Sequence, residues 1–328
     1  MEYKKYVYND NMNDIYHLMF NPTNQNLQFV KKSQIIEKDT NNNGIVQQPI
    51  NYSNQKITSY KKLLCGQIRD KYIITGFYDG LVYIFGQNNY SEEIRMNNSN
   101  ITSRDMSMIT ALEINKKENE IYLGTKKGGI IVYRYSTKEK KKDSNIIFHK
   151  MIHYNFKRIN YINTNEQLKM FISCSEDGFI NLYLSTSCEL VGSVYNEIKS
   201  DYIFLFSSPL PSFCIYSNAD SKFICYSING REINLKEFEE KHEIEEVEKE
   251  KIFSPTVITN KFRDYLVYVN NKKEIVIRKS PYMDNIRNIS IKNDYLLFSS
   301  IREINNNICV VVANNESIEI YKLIPKVI

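Results

Sequence analysis

The side chains that could perform chemistry in this sequence are few and scattered. Glu176 and Asp177 are adjacent carboxylates, which could supply a general acid and a general base, but neighbours in a turn usually point into water. His149 and His153 are four residues apart and would share one face of a helix, where two imidazoles could hold a metal ion. The alternative interpretation is that both histidines are solvated.

Other sequence signals of catalysis are absent. The six cysteines include no Cys-x-x-Cys pair, and only four histidines accompany them, which favours reduced thiols buried in strands over a metal centre. The sequence has no Gly-x-Gly-x-x-Gly stretch, no P-loop and no Gly-x-Ser-x-Gly elbow. We therefore predict no enzyme activity, no cofactor, no metal and no small-molecule substrate.

Charge is unevenly distributed along the 328 residues. The net charge is +5, but residues 232–251 contain nine Glu and four Lys, a local net of −5, so the remaining residues sum to +10. The segment KEKKK at 138–142 could attract acidic lipid headgroups, a phosphorylated partner or nucleic acid, or be a solvated loop. No aromatic residues are interleaved with it, so there is no specific nucleic-acid signal. We expect contacts with partners in two charged loops, at Lys138, Lys140, Lys141 and Lys142 and at Glu239 and Glu240.

The chain has no stretch that predicts membrane insertion or secretion. Its apolar runs are short, as in ICVVVA at 308–313, against the roughly 18 to 20 residues that a spanning helix requires. The first residues, MEYKKYVYNDNM, are not followed by an apolar segment, which predicts a cytoplasmic location.

A turn pattern recurs along the sequence and indicates a repeat protein. TGFYDGLVYIF at 75–85 and SCSEDGFINLY at 173–183 each place a small residue, a turn and an alternating apolar run at the same offsets. Similar units are centred on residues 80, 128, 178, 221, 273 and 316, with separations of 48, 50, 43, 52 and 43 residues. The predicted turn positions are Gly76, Asp79, Gly80, Gly124, Gly128, Asp177, Gly178 and Asp220, with a further hairpin turn at Asn229 and Gly230.

Each part of the repeat has a physical role. Asp-Gly or its substitutes permit the positive φ of a tight hairpin, and the period-two run that follows suits a half-buried strand. We call the central residue of each unit its repeat mark. Five positions after five of the six repeat marks stands an aromatic residue that is large enough to fill the space between adjacent sheets. These predicted aromatic positions are Phe85, Tyr133, Tyr183, Tyr226 and Tyr321.

The repeat predicts an all-β fold, a β-propeller of four-stranded blades. Apolar strands are expected upstream of the turns, as in ITALEIN at 109–115 and YIFLF at 202–206. Six blades follow from the repeats, and strands at 15–20 and 26–30 supply a seventh. A pair of β-sandwiches would not explain the spacing, and a helical array contradicts the period of two. We predict one domain over 1–328, in which residues 1–55 provide closing strands and residues 236–251 form a charged insertion, helical or disordered.

The turn and strand offsets resemble those of the WD40 repeat. That family carries Gly-His before the unit and Trp-Asp at the strand end, whereas this chain has no Trp and has Phe or Tyr in that position. With histidine nearly absent, the family's His-to-Asp network cannot form. The resemblance therefore implies a divergent WD40-like propeller, held by apolar packing and strand hydrogen bonds.

Residues 204–233 resemble one blade of the C-terminal WD40 region of BEACH-domain proteins, the neurobeachin and Chediak-Higashi class. The segment YSINGREI at 226–233 carries most of this likeness, and residues 172–194 fit the preceding blade. The likeness implies a non-catalytic scaffold of membrane traffic, bound to protein partners and peripheral to endomembranes through a larger assembly. The alternatives are a stand-alone adaptor of another complex, including a nucleic-acid-associated one, and a propeller hydrolase.

Overall fold

The structure is a computed structural model that describes side chains in residues 108–115, 119–135, 147–233, 249–259 and 262–291 and at single buried positions of the last strands. Elsewhere it describes the backbone of strands, and no helix occurs among the described residues. The strands are β1 (Glu2–Val7), β2 (Ile15–Phe20), β3 (Leu27–Lys31), β4 (Gln34–Lys38), β5 (Leu63–Arg69), β6 (Tyr72–Phe77), β7 (Leu81–Phe85), β8 (Ser91–Arg95), β9 (Ile109–Asn115), β10 (Glu120–Thr125), β11 (Gly129–Tyr135), β12 (Ile146–His153), β13 (Ile159–Asn165), β14 (Met170–Ser175), β15 (Phe179–Leu184), β16 (Leu190–Tyr195), β17 (Tyr202–Phe206), β18 (Ser212–Ser217), β19 (Lys222–Ser227), β20 (Glu232–Ile233), β21 (Ile252–Thr259), β22 (Asp264–Asn270), β23 (Glu274–Lys279), β24 (Asp284–Ser290), β25 (Phe298–Ile304), β26 (Asn307–Ala313) and β27 (Ser317–Leu323).

The described strands form seven antiparallel sheets, six with four strands and one with three. The predicted all-β fold with four-stranded sheets is therefore confirmed. None of the described residues lies in a helix that could span a bilayer. The chain divides into two compact units, one made of Met1–His153 and Lys292–Ile328 and the other of Tyr154–Ile291.

The first unit contains four sheets. Three of them are built from consecutive strands, β2–β4, β5–β8 and β9–β12. The fourth joins the two ends of the chain in the order β1-β27-β26-β25. In it β1 pairs with β27 over six positions, from Glu2 opposite Lys322 to Val7 opposite Ser317. The three-stranded sheet contains β4, a strand that the sequence pattern did not predict.

The second unit contains three consecutive four-stranded meanders, β13–β16, β17–β20 and β21–β24. Apolar side chains on both faces of the middle strands are buried, as in β18 and β22. Ile172 and Leu182 of the first sheet pack against Leu205 and Phe213 of the second. Phe204 and Tyr216 of the second pack against Leu266 and Tyr268 of the third. The strands form here because their β-branched and aromatic residues are covered on both faces.

Asparagine side chains bridge the first strands of neighbouring sheets. β17 lies at the edge of its sheet, so its outward backbone groups have no strand to pair with. Leu205 N donates to Asn163 Oδ1 at 2.9 Å, and Asn165 Nδ2 donates to Leu205 O at 3.2 Å. Both backbone groups of Leu205 are thus satisfied by side chains of β13.

Several predictions about single residues need correction. His149 and His153 lie on the strand β12, so they do not share a helix face as their spacing suggested. Cys174, Cys214 and Cys225 are buried free thiols in strands as expected, but Cys188 is buried in a turn outside any strand. Residues 236–248 of the predicted insertion lie outside the described residues, and Lys249 and Glu250 are described just before β21.

Candidate protein-interaction surface

The repeat marks identified in the sequence have left-handed backbone conformations wherever they are described. Gly128 and Gly178 have φ of 88° and 86°, and Ser221 and Lys273 have φ of 53° and 61°. Gly80 and Glu316 lie outside the described residues. The common conformation follows from the tight turn that joins the second and third strands of each sheet, which only a positive φ allows.

Of the other predicted turn residues, Gly124 and Asp220 lie next to these hairpins, and Asn229 and Gly230 form a different turn. Gly124 is buried in β10, opposite Ile130 of β11. Asp220 is exposed and accepts a hydrogen bond from Ser217 Oγ at 2.7 Å. Asn229 and Gly230 form the turn from β19 to β20, with φ of 84° at Gly230. Gly76 lies in β6, and Asp79 lies outside the described residues.

Four of the five predicted aromatic positions are buried: Tyr133, Tyr183, Tyr226 and Tyr321. Tyr183 stacks on Phe171 with ring centroids 4.6 Å apart, and Tyr226 stacks on Phe213 at 5.0 Å. In both pairs the partner is the residue directly opposite on the neighbouring strand. Phe85 ends β7, and its side chain lies outside the described residues.

The carboxylate of Asp177 links the turn between β14 and β15 to the segment that enters β13. It accepts hydrogen bonds from Phe156 N at 2.8 Å, from Phe179 N at 3.2 Å and from Ser175 Oγ. Partial burial by itself raises the pKa of Asp177, but these bonds and one from Lys157 N outweigh it and lower that pKa. Asp177 is therefore fixed in the structure, and only its neighbour Glu176 is exposed as the sequence suggested.

Asn155 extends this polar network into the sheet. Its Oδ1 lies 3.2 Å from Ser175 Oγ, whose proton is donated to Asp177, and accepts from Asn181 Nδ2 at 2.6 Å. Asn181 Oδ1 in turn accepts from Ser193 Oγ at 2.7 Å. In β13–β16 this side-chain network adds to the apolar packing and strand hydrogen bonds that the sequence predicted, and it contains no histidine. Amide and hydroxyl side chains make these hydrogen bonds, whereas the WD40 family uses a network between His and Asp. The repeat motif does not indicate which amides and hydroxyls take part.

Aromatic side chains are exposed around the Asp177 turn. Phe156 is 86% exposed, Tyr195 is 60% exposed, and the partly exposed ring of Phe179 lies 5.4 Å from that of Tyr195. We call Phe156, Phe179 and Tyr195 the aromatic patch. The backbone N–H groups of Phe156 and Phe179 are bound to Asp177, and Tyr195 of β16 lies opposite Phe179 of β15, so the rings are displayed from an ordered turn. Exposed aromatic residues on a rigid support are suited to contact with another protein.

A second group of exposed apolar residues lies at the opposite ends of the strands. Asp264 is buried and accepts hydrogen bonds from Ser207 N at 2.5 Å and from Ser208 N at 3.1 Å. Ser208 Oγ donates to Phe262 O at 2.7 Å. These bonds join the loop before β18 to the loop before β22, where Leu210 and Phe262 are exposed.

A polar cleft of about 500 Å³ opens at the strand ends of the two sheets β17–β20 and β21–β24. Its lining comprises the turn at Asp220 and Ser221, the segment at Lys249 and Glu250, and residues of β22–β24 and the turn between β22 and β23: Asn270, Lys272, Glu274, Val276, Arg278, Asn285 and Asn288. Cleft residues were missed in the sequence analysis, since the repeat mark at Lys273 indicated only a turn. The sequence feature that could have indicated the cleft is the presence of acidic and amide residues, such as Asn270 and Glu274, close to Lys273.

The sequence candidates for chemistry are not brought together in the second unit. In that unit the strands β13 and β17 carry Ile159 and Phe204, and both side chains are buried. In the first unit, burial lowers the pKa of His149 and the charge of Arg134 lowers it further, which favours the neutral imidazole. The predicted contact loops at Lys138, Lys140, Lys141 and Lys142 and at Glu239 and Glu240 lie outside the described residues. They stay predictions.

Comparison with known proteins identifies the fold. No protein-family model matches the chain, and no curated protein matches it. Among solved structures, a chain from a structure described as "Crystal Structure of Mitotic Checkpoint Complex" is similar, with a TM-score of 0.67 and 8% identity over 98% of this chain and 91% of that chain. At this identity the likeness concerns the fold alone. Together with the four-stranded antiparallel sheets, it supports a WD40-like β-propeller fold for this chain.

Proposed function

We propose that this protein is a non-catalytic scaffold that binds protein partners through the ends of its sheets. The observation that carries the proposal is the aromatic patch, in which Phe156 and Tyr195 are exposed beside a turn that hydrogen bonds hold in place. The likeness to a chain of a multi-protein complex agrees with such a function. We further propose that the seven sheets are seven blades and that β1 closes the last one.

The finer assignment is an adaptor propeller of a BEACH-type membrane-trafficking protein. Its support is the sequence likeness of residues 204–233, of which YSINGREI at 226–233 is the most specific part. Asn229 and Gly230 in this stretch form a hairpin turn. The assignment predicts a cytoplasmic protein that associates with endomembranes through a larger assembly.

The experiment is affinity purification of the tagged full chain from cells, with partners identified by mass spectrometry. The double variant Phe156→Ser/Tyr195→Ser removes the exposed rings, and Val191→Ser is the control because it is an exposed apolar residue away from the turn. We expect the double variant to lose partners that the control retains. Identical partner sets for the wild type and the double variant would contradict the proposed surface, and recovery of no specific partner would contradict the scaffold function.

A stand-alone adaptor that associates with nucleic acid is the second candidate, because the chain outside residues 232–251 carries a net charge of +10. Such binding depends steeply on salt, since phosphate contacts release counterions. Retention on heparin that falls steeply with salt, together with recovery of nucleic acid in the purification, would favour this candidate. Co-purification with endomembrane proteins would favour the trafficking assignment instead.

A further inference from the structure

Two buried cysteines of the second unit lie directly opposite each other on neighbouring strands. Cys214 of β18 pairs in register with Cys225 of β19. Both are free thiols, 0% and 1% exposed, and both belong to the apolar cluster in which Tyr216 packs against Leu266. Residues directly opposite in an antiparallel pair project from the same face of the sheet. The two thiols therefore face each other on the side of the sheet that packs against β21–β24.

No other two cysteines have this arrangement among the strand positions that the structure describes. The strand partners of Cys65, Cys174 and Cys309 are residues of other types. The thiol of Cys174 instead donates to Ser200 O at 3.7 Å. Cys188 lies in a turn outside any strand. The register of β18 and β19 thus brings together one specific pair of the six thiols.

The spacing of an antiparallel pair suits a disulfide bond. Opposite Cα atoms lie about 4.5 or 5.5 Å apart, and both values fall within the roughly 4.4–6.8 Å that a disulfide spans. Opposite Cβ atoms lie about 4.5–5.5 Å apart, so bond formation must draw them to about 4.5 Å or less. A bond between Cys214 and Cys225 can therefore form while the strands stay paired, and the strain that remains makes it easier to reduce.

The surroundings keep these thiols unreactive while the sheet is closed. Burial raises the pKa of Cys214 well above its ordinary value, the neighbouring thiol of Cys225 raises it further, and the charge of Arg278 opposes the rise. A buried, protonated thiol is a poor nucleophile, so oxidation requires local opening of the sheet. Among the described residues β20 pairs with β19 at only two positions, Cys225 and Tyr226. This edge of the sheet is therefore the part that opens at low cost, and Cys225 lies on it.

We propose that Cys214 and Cys225 form a reversible disulfide when the protein is exposed to hydrogen peroxide. The thiolate of one cysteine attacks a peroxide oxygen, the O–O bond breaks, and a sulfenic acid and one water are produced. The thiol of the other cysteine then attacks the sulfenic sulfur, the S–S bond forms, the S–O bond breaks, and a second water leaves. Both thiol protons end in the waters, and the peroxide accepts the two electrons. A thiol reductant restores both cysteines by exchange, so the bond is transient in a reducing compartment.

The test is oxidation of the full chain by hydrogen peroxide in native buffer, followed by intact-mass measurement and peptide mapping without reduction. We expect a loss of about 2 Da, a single link between Cys214 and Cys225, and recovery of both thiols with dithiothreitol. Oxygen addition without a link, a link that includes another cysteine, or a covalent dimer would overturn the proposal. The mapped link in the wild type does not depend on how well any variant folds.

Matched variants and a denatured control show whether the strand register is the cause. Cys225→Ala should abolish the loss of mass, whereas Cys174→Ala, at an equally buried thiol, should retain it. Oxidation in urea should give a mixture of links, because the chain then no longer holds the two strands in register. The same loss of mass in Cys225→Ala would contradict the assignment. A link between Cys214 and Cys225 as the sole product in urea would contradict it as well, because proximity along the chain would then explain the bond.

Discussion

Tyr133 and Tyr122 lie in the same sheet, yet their hydroxyl groups have opposite surroundings. The hydroxyl of Tyr133 is buried without a hydrogen-bond partner in the described structure, and burial raises its pKa to about 12. Tyr122 OH donates to the buried carboxylate of Glu120 at 2.6 Å. The buried hydroxyl of Tyr133 therefore lowers the stability of the fold, whereas the hydroxyl of Tyr122 is needed as a donor to the buried carboxylate of Glu120.

This contrast gives a matched pair of substitutions. Tyr133→Phe removes an unsatisfied polar group and should raise the free energy of unfolding by about 1 kcal/mol. Tyr122→Phe removes a donor from Glu120 and should lower it by about 1 to 3 kcal/mol. Urea unfolding followed by circular dichroism measures both. A loss of stability in Tyr133→Phe would mean that its hydroxyl has a partner after all.

The lowered pKa of Asp177 predicts a pH dependence of stability. The ordinary value is 3.8, and the folded value lies below it, so the ionised form contributes stability above that value which is lost as pH falls through the folded pKa. In Asp177→Asn this contribution is absent. The stability difference between wild type and Asp177→Asn should therefore shrink as pH decreases below about 4.

The measurement is urea unfolding of both proteins from neutral pH down into this acid range. Glu176→Gln is the control, since the neighbouring carboxylate is exposed and lies 3.9 Å from the exposed Lys199. A difference between wild type and Asp177→Asn that is constant with pH would show that the carboxylate charge does not contribute to the turn.

Among the elements, the hairpin between β14 and β15 depends on one glycine. A Cβ on Gly178 would lie 2.5 Å from Asn196 O, and its φ of 86° disfavours other residues. A Cβ on Gly192 of β16 would meet nothing within 4 Å. We expect Gly178→Ala to lower the free energy of unfolding by about 2 kcal/mol or more, and Gly192→Ala to raise it by about 0.5 kcal/mol. Equal effects in thermal unfolding would contradict the assigned turn.

The bridge between β13 and β17 is testable by hydrogen exchange. Asn163→Ala removes the acceptor of Leu205 N–H, whereas Asn165→Ala leaves that bond intact and removes the donor to Leu205 O and the acceptor of Gln167 N and Leu168 N. The amide of Leu205 should therefore exchange at least about tenfold faster in Asn163→Ala and remain protected in Asn165→Ala. Measurement by NMR under native conditions separates the two. Similar acceleration in both variants would indicate general loosening of the edge strand.

At the scale of the whole molecule, the pairing of β1 with β27 connects the two ends of the chain. Deletion of residues 1–8 leaves β27 with an unpaired edge, which costs its hydrogen bonds and favours association. We expect a loss of about 3 kcal/mol or more in stability and larger species in size-exclusion chromatography. Deletion of residues 324–328 leaves β27 intact and is the control. Unchanged stability without β1 would contradict the proposed closure.

The local structure of this protein follows from patterns within short stretches of its sequence. YIFLF at 202–206 coincides with β17, ITALEIN at 109–115 coincides with β9, and the described repeat marks all have positive φ. These features follow from side-chain alternation and turn residues within a few positions of one another, so a local pattern is enough to predict them.

Only the tertiary structure decided which polar side chains meet. Asn163 and Leu205 are 42 positions apart, and Phe156 and Asp177 are 21 apart. Glu274 accepts a hydrogen bond from Asn288, which is 14 positions away on the neighbouring strand. Such contacts depend on how neighbouring sheets pack, and the repeat pattern carries no information about the amides and hydroxyls that form them.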